Sequence, residues 1–347
     1  MSEHTTTESP GHPGQEPAGR VSARMRAIVQ DRFGAPDVLR LGLRETPQPA
    51  EDQVLIRVAA SSLNMYDVHM TSGFPLLART TAGWSKPRYP IPGADVAGEI
   101  VAVGSAVSSY QPGDEVFGEI GMGAFAEYAV AKENAITKKP ASVGFREAAS
   151  APLAALTALH GLRDVGGLTA GQRVVINGAS GGVGTFAVQI AKALGAEVAA
   201  VCSTAKVELV RSLGADEVID YRTDDFTQRL RAFDLLFDNV GDRSWSQTSR
   251  VLKPGGTNVT ITGPKHRIMG PFRRFVVRKL QSAFSDKRFV WLAAQVDPED
   301  LRRLGEMLES GEVSPVIEET YPLERVPEAL AYLAEGHARG KIVVAIQ

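Results

Sequence analysis

The feature that most constrains the fold is a regular alternation of strand-like and helix-like segments between residues 173 and 262. Short apolar runs follow one another, and the segments between them have the apolar spacing of helices. The strand-like segments are 173–177, 197–201, 217–220, 233–238 and 257–262, and the helix-like segments are 183–194, 205–213, 224–231 and 244–252. Strands and helices that alternate in this way form βαβ units, so this part of the chain is predicted to be an α/β domain built on a parallel sheet.

The rest of the chain has a different pattern. Between residues 25 and 140, short β-runs are broken by glycine and proline, which predicts a small barrel-like β-domain. Further helices are predicted at 145–165, 298–310 and 326–337, and a last strand, expected to return to the first domain, at 342–346. The predicted division is a disordered tail at 1–24, a β-domain at 25–150, a parallel-sheet domain at 151–289 and a return segment at 290–347.

Composition excludes several classes of protein. The formal net charge of −2 creates no global field that would attract nucleic acid. Cys202 is the only cysteine, which excludes an intrachain disulfide and a cysteine-rich structural zinc site. The polar segment before Met25 lacks the apolar stretch of a signal peptide, and no apolar run reaches the roughly 18 residues of a membrane-spanning helix. We therefore expect a cytoplasmic protein without stable membrane insertion.

A glycine-rich loop stands between the first strand and the first helix of the alternation. Residues 177–184 read Asn-Gly-Ala-Ser-Gly-Gly-Val-Gly. Against the dinucleotide-binding spacing, the three glycine positions are occupied by Ala179, Gly181 and Gly184, with Ala179 as a departure. The loop, with Ser180, Gly182 and Val183, is predicted to present backbone N–H groups to a pyrophosphate at the helix N-terminus. A glycine-rich turn without a ligand is the alternative.

The end of the next strand indicates which nucleotide is bound. An NAD-binding chain would carry Asp or Glu there, to accept a hydrogen bond from the ribose 2′-hydroxyl. This chain has Ser203, Thr204 and Lys206 instead, and their hydroxyls and ammonium can bind a 2′-phosphate. The pattern favours NADPH, although Ser203 or Thr204 could also serve as a helix N-cap.

Several short motifs together resemble one family. They are Ser62–Asp67 (Ser-Leu-Asn-Met-Tyr-Asp), Pro92–Gly98 (Pro-Gly-Ala-Asp-Val-Ala-Gly), 113–116, 123–128, the glycine-rich loop, 213–216, 238–241 and 340–343. In this order they are similar to the medium-chain dehydrogenase/reductase superfamily, in its zinc-free quinone oxidoreductase and enoyl-reductase-like branch. The resemblance implies a GroES-like domain, a Rossmann doubly wound domain, a cofactor in the cleft between them and a homodimer.

The resemblance also bears on metal binding. Zinc-dependent relatives carry Cys and His at the positions of Asn64 and Ala94, and neither of these side chains is a plausible zinc ligand. No metal is therefore expected. Without one, hydride transfer from NADPH fits an acceptor that brings its own activation, such as a quinone or an alkene conjugated to a carbonyl.

Residue roles are implied by the resemblance alone. Asn64 is the candidate donor to substrate or cofactor, Tyr66 the candidate proton donor and His69 a substrate-side candidate, with loop packing as the alternative for the last two. Asp67 and Asp95 are expected to be structural. The remaining implied cofactor contacts are Thr157, Tyr221, Asn239, Val240, Gly263 and Lys341, the last toward a phosphate; each has a core or cap role as its alternative.

A basic segment at residues 265–288 holds eight lysines and arginines against Asp286. Phe272, Phe275/Val276, Leu280 and Phe284 follow helical spacing, which predicts an amphipathic helix. We favour a helix over the cleft or at a subunit interface; contact with a membrane surface is the alternative.

The leading function is a metal-independent NADPH-dependent reductase of quinones or enones. The alternatives are a reductase or dehydrogenase of another small carbonyl or alcohol, and a catalytically silent protein that binds NADPH or RNA.

Overall fold

The computed structural model of the protein describes residues 21–261, 272–292 and 296–346. Gly263 and most of the predicted tail at 1–24 lie outside these ranges. The strands are β1 (Arg24–Val29), β2 (Arg40–Glu45), β3 (Gln53–Leu63), β4 (Asp95–Val103), β5 (Glu115–Glu119), β6 (Tyr128–Lys132), β7 (Ile136–Lys138), β8 (Arg173–Asn177), β9 (Glu197–Cys202), β10 (Glu217–Asp220), β11 (Phe233–Asp238), β12 (Leu252–Thr260), β13 (Arg288–Trp291), β14 (Ile317–Pro322) and β15 (Lys341–Ala345). The helices are α1 (Met65–Ser72), α2 (Arg79–Ala82), α3 (Phe145–Ser150), α4 (Pro152–Leu159), α5 (Gly182–Ala193), α6 (Val207–Ser212), α7 (Phe226–Arg229), α8 (Trp245–Val251), α9 (Phe272–Ala283), α10 (Pro298–Glu309) and α11 (Val326–Glu335).

The predicted alternation forms a six-stranded parallel sheet in the order β10-β9-β8-β11-β12-β13. The chain starts at the centre with β8, moves outward through β9 and β10, and then continues on the other side of β8 with β11. This is the doubly wound order of dinucleotide-binding domains, which bind ligands where the order reverses. Asn177 and Asp238 are register partners at the carboxyl ends of β8 and β11, and so they mark that point.

The second large sheet has seven strands in the order β14-β15-β3-β4-β5-β7, with β6 also paired to β3. The long strand β3 is its centre, and most of its side chains are buried. The last strand, β15, pairs antiparallel with β3, with Ile342 opposite Leu63. The C-terminal strand is therefore an integral part of the sheet built by the N-terminal half of the chain. The exact domain limits stay a prediction.

The two sheets meet through specific polar contacts as well as apolar packing. The backbone N–H of Gly340 donates to the carbonyl of Ser180 at 2.9 Å. The N–H of Leu153, in the first turn of α4, donates to Asp95 Oδ1 at 2.9 Å. The first contact joins the return segment to the glycine-rich loop, and the second joins α4 to β4.

Several predicted elements have different limits in the structure. The predicted helix 224–231 is only one turn, α7, and 205–213 begins with a 3-10 turn, Thr204–Lys206, before α6. The strand predicted at 257–262 begins earlier, at Leu252. Strands β13 and β14 were not predicted. Both are short, and both lie at the end of their sheet, where exposed side chains weaken the apolar pattern.

Residues Phe272–Ala283 of the basic segment form a helix, α9, and residues 265–271 lie outside the described ranges. Phe275 and Arg278 are buried, whereas Val276, Leu280 and Phe284 are exposed. The Arg278 guanidinium lies 3.4 Å from both the Gly241 carbonyl and Thr260 Oγ1, so α9 is anchored on the loop that follows β11. Among the described residues, no helix is long and apolar enough to cross a membrane.

Candidate active site

The glycine-rich loop joins β8 to α5 at the point where the strand order reverses. A Cβ on Gly184 would collide with the carbonyl oxygen of Gly178 and lie 2.7 Å from the carbonyl carbon of Ala179, so this position needs glycine for α5 to pack on the loop. A Cβ on Gly181 would meet only the Gly178 oxygen, at 3.6 Å. The space in front of Gly181, at the N-terminus of α5, is therefore open to an anion.

The loop after β11 faces the same crevice. Asn239 has both side-chain amide atoms buried without a hydrogen-bond partner in the structure. Val240 lies close by, with its Cγ2 at 3.0 Å from where a Cβ on Gly178 would be. Buried polar groups are nearly always paired in folded proteins, so the Asn239 amide is suited to a polar ligand such as a nicotinamide cofactor.

Asn64 sits in a buried polar cluster between the two sheets. Its Nδ2 donates to Asp95 Oδ2 at 2.8 Å, and its Oδ1 accepts from the Lys341 ammonium at 2.5 Å. Asp95 Oδ2 also accepts from the Ser62 hydroxyl at 2.7 Å and lies 3.5 Å from Lys341 Nζ. Side chains from β3, β4 and β15 thus converge on one carboxamide.

This placement differs from the expected role of Lys341. The resemblance implied a contact with a cofactor phosphate, but the ammonium is buried on Asn64 and Asp95, and only 2% of the residue is exposed. The physical reason is charge pairing, because a buried ammonium needs a carboxylate partner. Asp95, expected to be a turn residue, is the shared acceptor of this cluster.

Two further acids lie near the cluster. Burial raises the pKa of Asp67 to about 7, although the backbone N–H of Asn64 donates to its carboxylate at 2.8 Å. Burial, with the charges of Asp95 and Asp67, raises the pKa of Glu119 to about 8. Burial lowers the pKa of Lys341. Glu119 was missed by sequence reasoning, because β5 shows no alternation of polar and apolar residues that would mark Glu119 as inward-facing.

The other candidate catalytic residues lie on α1. Burial raises the pKa of the Tyr66 phenol to about 12, and the nearby charges of Asp67 and Glu119 act in the same direction. Tyr66 is therefore protonated at neutral pH. The Nδ1 atom of His69 is hydrogen-bonded at 2.9 Å to the carbonyl of Phe74, which lies just after the end of α1.

Thr157 lies on α4, one turn after Leu153, whose backbone N–H donates to Asp95. Its hydroxyl donates to the Leu153 carbonyl of the preceding turn, at 2.7 Å. The lone pairs of that hydroxyl are the part of Thr157 that can take a hydrogen bond from a ligand.

The residues expected at the 2′-phosphate follow β9, and Tyr221, expected as a cofactor contact near the adenine ribose, follows β10. Ser203 precedes the 3-10 turn, and Tyr221 is half exposed beside it. The Lys206 ammonium donates to the carbonyls of His337 and Ala338, at 2.8 and 3.0 Å. These contacts hold it at the surface of the return segment.

One feature of this region corrects the sequence argument. No acid follows β9, but β10 brings the Asp220 carboxylate to within 2.5 Å of the Thr204 hydroxyl, which donates to it. That hydrogen bond lowers the pKa of Asp220, so the region contains an ionised carboxylate beside its cations. Arg339, whose charge acts on Lys206, is a second cation that sequence reasoning missed.

Comparisons with known proteins agree with this geometry. Residues 50–141 match the family model described as "Alcohol dehydrogenase GroES-like domain", and residues 213–344 match "Zinc-binding dehydrogenase". The chain is 37% identical to NAD(P)H oxidoreductase RTN4IP1, mitochondrial, of Mus musculus, over 93% of this chain and 89% of the relative. It is 36% identical to 2-methylene-furan-3-one reductase of Solanum lycopersicum, over 93% and 80%.

The chain belongs to the medium-chain dehydrogenase/reductase family.

A solved relative places it more closely. The quinone oxidoreductase of Coxiella burnetii superposes with a TM-score of 0.82 at 32% identity, over 93% of this chain and 100% of that one. The predicted fold, a GroES-like domain with a Rossmann domain, is thereby confirmed, and so is the quinone oxidoreductase-like branch of the family.

The name of one family model raises the question of zinc in this dehydrogenase/reductase. The site equivalent to a catalytic zinc site offers Asn64, bound to an ammonium, and the buried Ala94, a set that does not fit Zn²⁺. In the described part of the chain, His160, Asp164 and Asp300 are the one group of three possible ligands that come together. There the Arg163 guanidinium donates to both carboxylates, so the group is an ion-pair network.

Proposed function

We propose that the protein is an NADPH-dependent reductase that transfers hydride, without a metal ion, to a quinone or an α,β-unsaturated carbonyl compound. The observation that carries the proposal is the arrangement at the crevice: an open anion cradle at Gly181, an unpartnered Asn239 amide and a fixed Asn64 amide. Relatives named for reductases of such acceptors, including the NADPH-dependent alkenal/one oxidoreductase of Arabidopsis thaliana, support it.

Different residues of the crevice would bind different parts of the cofactor. Backbone N–H groups at the start of α5, such as those of Gly182 and Val183, would hold the pyrophosphate, and Ser203, Lys206 and Tyr221 the 2′-phosphate. Asn239, Val240 and Thr157 would border the nicotinamide. When bound, NADPH supplies the hydride.

The substrate needs stabilisation at its oxygen. Reduction adds a hydride to a carbon of the acceptor and leaves negative charge on the conjugated oxygen, which then takes up a proton. The Asn64 amide offers an N–H to that oxygen, and a fixed donor of this kind stabilises a developing anion. The Tyr66 phenol, which is protonated at neutral pH, is the candidate donor of that proton, with solvent as the other source.

The test is an acceptor panel. Purified protein, treated with a chelator and analysed for metals, is mixed with NADPH or NADH and with quinones, enones, simple aldehydes and alcohols. We expect NADPH oxidation with the conjugated acceptors and little with the others. Faster turnover with NADH would contradict the assignment of the cofactor, turnover confined to simple carbonyls would favour the other reductase class, and binding without turnover would favour a silent NADPH-binding protein.

We also propose a homodimer formed through β13. This strand ends the described part of the parallel sheet, and exposed sheet edges favour pairing with another strand. Trp291 on β13 and Leu280 and Phe284 on the adjacent α9 are exposed, the last by 93%. Light scattering should give a dimer, and Trp291→Lys should shift it toward monomer. A monomeric wild-type protein that sediments with anionic vesicles would favour a membrane contact instead.

A further inference from the structure

The orientation of the Asn64 amide is fixed by two opposite charges from distant parts of the chain. A carboxamide has one end that only accepts hydrogen bonds and one end that only donates them. Lys341, on β15, can only donate, and it lies at Oδ1; Asp95, on β4, is an acceptor, and it lies at Nδ2. Reversing the amide would place the NH₂ group against an ammonium and the oxygen against a carboxylate. Asn64 is only 6% exposed, so water could not replace the two hydrogen bonds that a reversed amide would lose.

Asp95 is itself held in place. The Leu153 N–H donates to its Oδ1 at 2.9 Å, and the Ser62 hydroxyl donates to its Oδ2 at 2.7 Å. The carboxylate is fully buried. It therefore presents a fixed acceptor to Asn64 and not a mobile one.

Lys341 also touches the cofactor loop. Its neighbour Gly340 pairs with Gly181 in a β-bridge, and a Cβ on Gly182 would lie 3.2 Å from Lys341 Cδ. The aliphatic part of Lys341 thus lies on the glycine-rich loop, while its ammonium reaches Asn64. This one side chain joins the pyrophosphate end of the crevice to the carboxamide at the other end.

We propose that Lys341 and Asp95 are positioning residues that orient the Asn64 amide, so that its second Nδ2–H remains directed for the substrate oxygen. The proposal rests on the proposed function. It assigns Lys341 to the chemical step through Asn64, and not to binding of a cofactor phosphate. The two assignments predict different kinetics, because a phosphate contact strengthens cofactor binding whereas an oriented donor lowers the barrier to reaction.

The experiment compares Lys341→Met with Lys206→Met, a matched loss of an ammonium at the other end of the crevice. NADPH affinity is measured by fluorescence titration, and kcat is measured with a quinone at saturating NADPH. Lys341→Met should lower kcat by about 10-fold or more, as expected when a preorganised donor is lost, and change the Kd for NADPH by less than about 3-fold. Lys206→Met should show the opposite split, a raised Kd with a smaller effect on kcat.

An unchanged kcat in an active Lys341→Met protein, or a loss confined to the Kd for NADPH, would overturn the proposal. If Lys341→Met does not fold, Asp95→Asn tests the other side of the same amide, with the same expected split.

A readout without turnover is the ¹⁵N side-chain amide signal of Asn64, assigned with Asn64→Leu. It should shift in Lys341→Met and remain in place in Lys206→Met; an unshifted signal contradicts the proposal. A wild-type protein that turns over no acceptor, but whose Asn64 signal shifts as expected, would contradict only the proposed function.

Discussion

The glycine-rich loop and the Asn64 cluster are two parts of one crevice, but they are built in opposite ways. The loop takes all its parts from eight consecutive residues, 177–184, and its backbone shape follows from local sterics. The cluster takes its parts from β3, β4 and β15, and Lys341 and Asn64 are 277 residues apart in the chain. The loop depends on the absence of side chains, whereas the cluster depends on the balance of buried charges. Substitutions should therefore affect the two regions by different mechanisms.

The largest effect should come from breaking the charge balance of the cluster. Asp95→Ala leaves the buried Lys341 ammonium without its carboxylate, which is expected to reduce the free energy of unfolding by about 3–5 kcal/mol. Urea unfolding followed by circular dichroism measures the loss. The double variant Asp95→Ala/Lys341→Met, which removes both charges, should recover part of it. A double variant less stable than Asp95→Ala would show that the pair is not coupled in this way.

The loop should separate stability from binding. Gly184→Ala forces a methyl group against the backbone of Gly178 and Ala179 and should destabilise the protein by about 1–3 kcal/mol. The matched substitution Gly181→Ala finds ordinary contact distances and a backbone conformation open to alanine, so its melting temperature should stay close to that of the wild type. Gly181→Ala should instead weaken NADPH binding, because its methyl group enters the open cradle. Equal loss of stability in both variants would contradict this distinction.

A substitution in the proposed 2′-phosphate site should have a smaller effect, on the selectivity for NADPH over NADH. Lys206→Ala removes an ammonium from the proposed 2′-phosphate site and should raise the KM for NADPH about 10-fold, or about 1.4 kcal/mol, with little change for NADH. Steady-state kinetics with both cofactors measures it. Lys253→Ala, which removes an exposed lysine that pairs with Asp234 outside the crevice, is the control. An equal loss for both cofactors would contradict a 2′-phosphate contact.

The last prediction concerns pH. Asp67 and Glu119 have pKa values raised to about 7 and 8, above those of the same groups in the unfolded chain. Their protonated forms favour the native state, so their contribution is fully present below the unfolded-chain pKa values near 4 and is lost progressively as pH rises from there through 7 to 8. Between pH 5 and pH 7 the loss should be about 2–3 kcal/mol for Asp67 alone, because each pH unit between the two pKa values corresponds to about 1.4 kcal/mol. Glu119→Gln should flatten this pH dependence of unfolding; an unchanged slope would contradict it.

The same contrast explains what could be predicted from the sequence. The parallel sheet and the cradle are encoded locally, by apolar periodicity and by glycine spacing, and both were predicted. The surroundings of Asn64 were not predicted, because the pairing of β15 with β3 that brings Lys341 to it leaves no local signal. Asp220 was missed for the same reason: it is the last residue of β10, and only the pairing of β10 with β9 places it beside Thr204.

The basic segment shows a further limit. Apolar spacing placed Val276, Leu280 and Phe284 on one helix stripe with Phe275, but in the structure these three are exposed and Phe275 and Arg278 are buried. An arginine can be buried when backbone carbonyls such as that of Gly241 accept its hydrogen bonds. Hydrophobicity alone could not identify this face, because the partners of Arg278 come from the loop after β11 and from the end of β12.

In the proposed function, an amide held between Lys341 and Asp95 takes the place of a metal ion in hydride transfer to an activated acceptor. The most direct measurement is the single-turnover rate of NADPH oxidation by a quinone, followed at 340 nm, with chelator-treated protein before and after addition of Zn²⁺. The rate should be retained after chelation and should not rise with Zn²⁺. A rate that is lost on chelation and restored by Zn²⁺ would contradict the account.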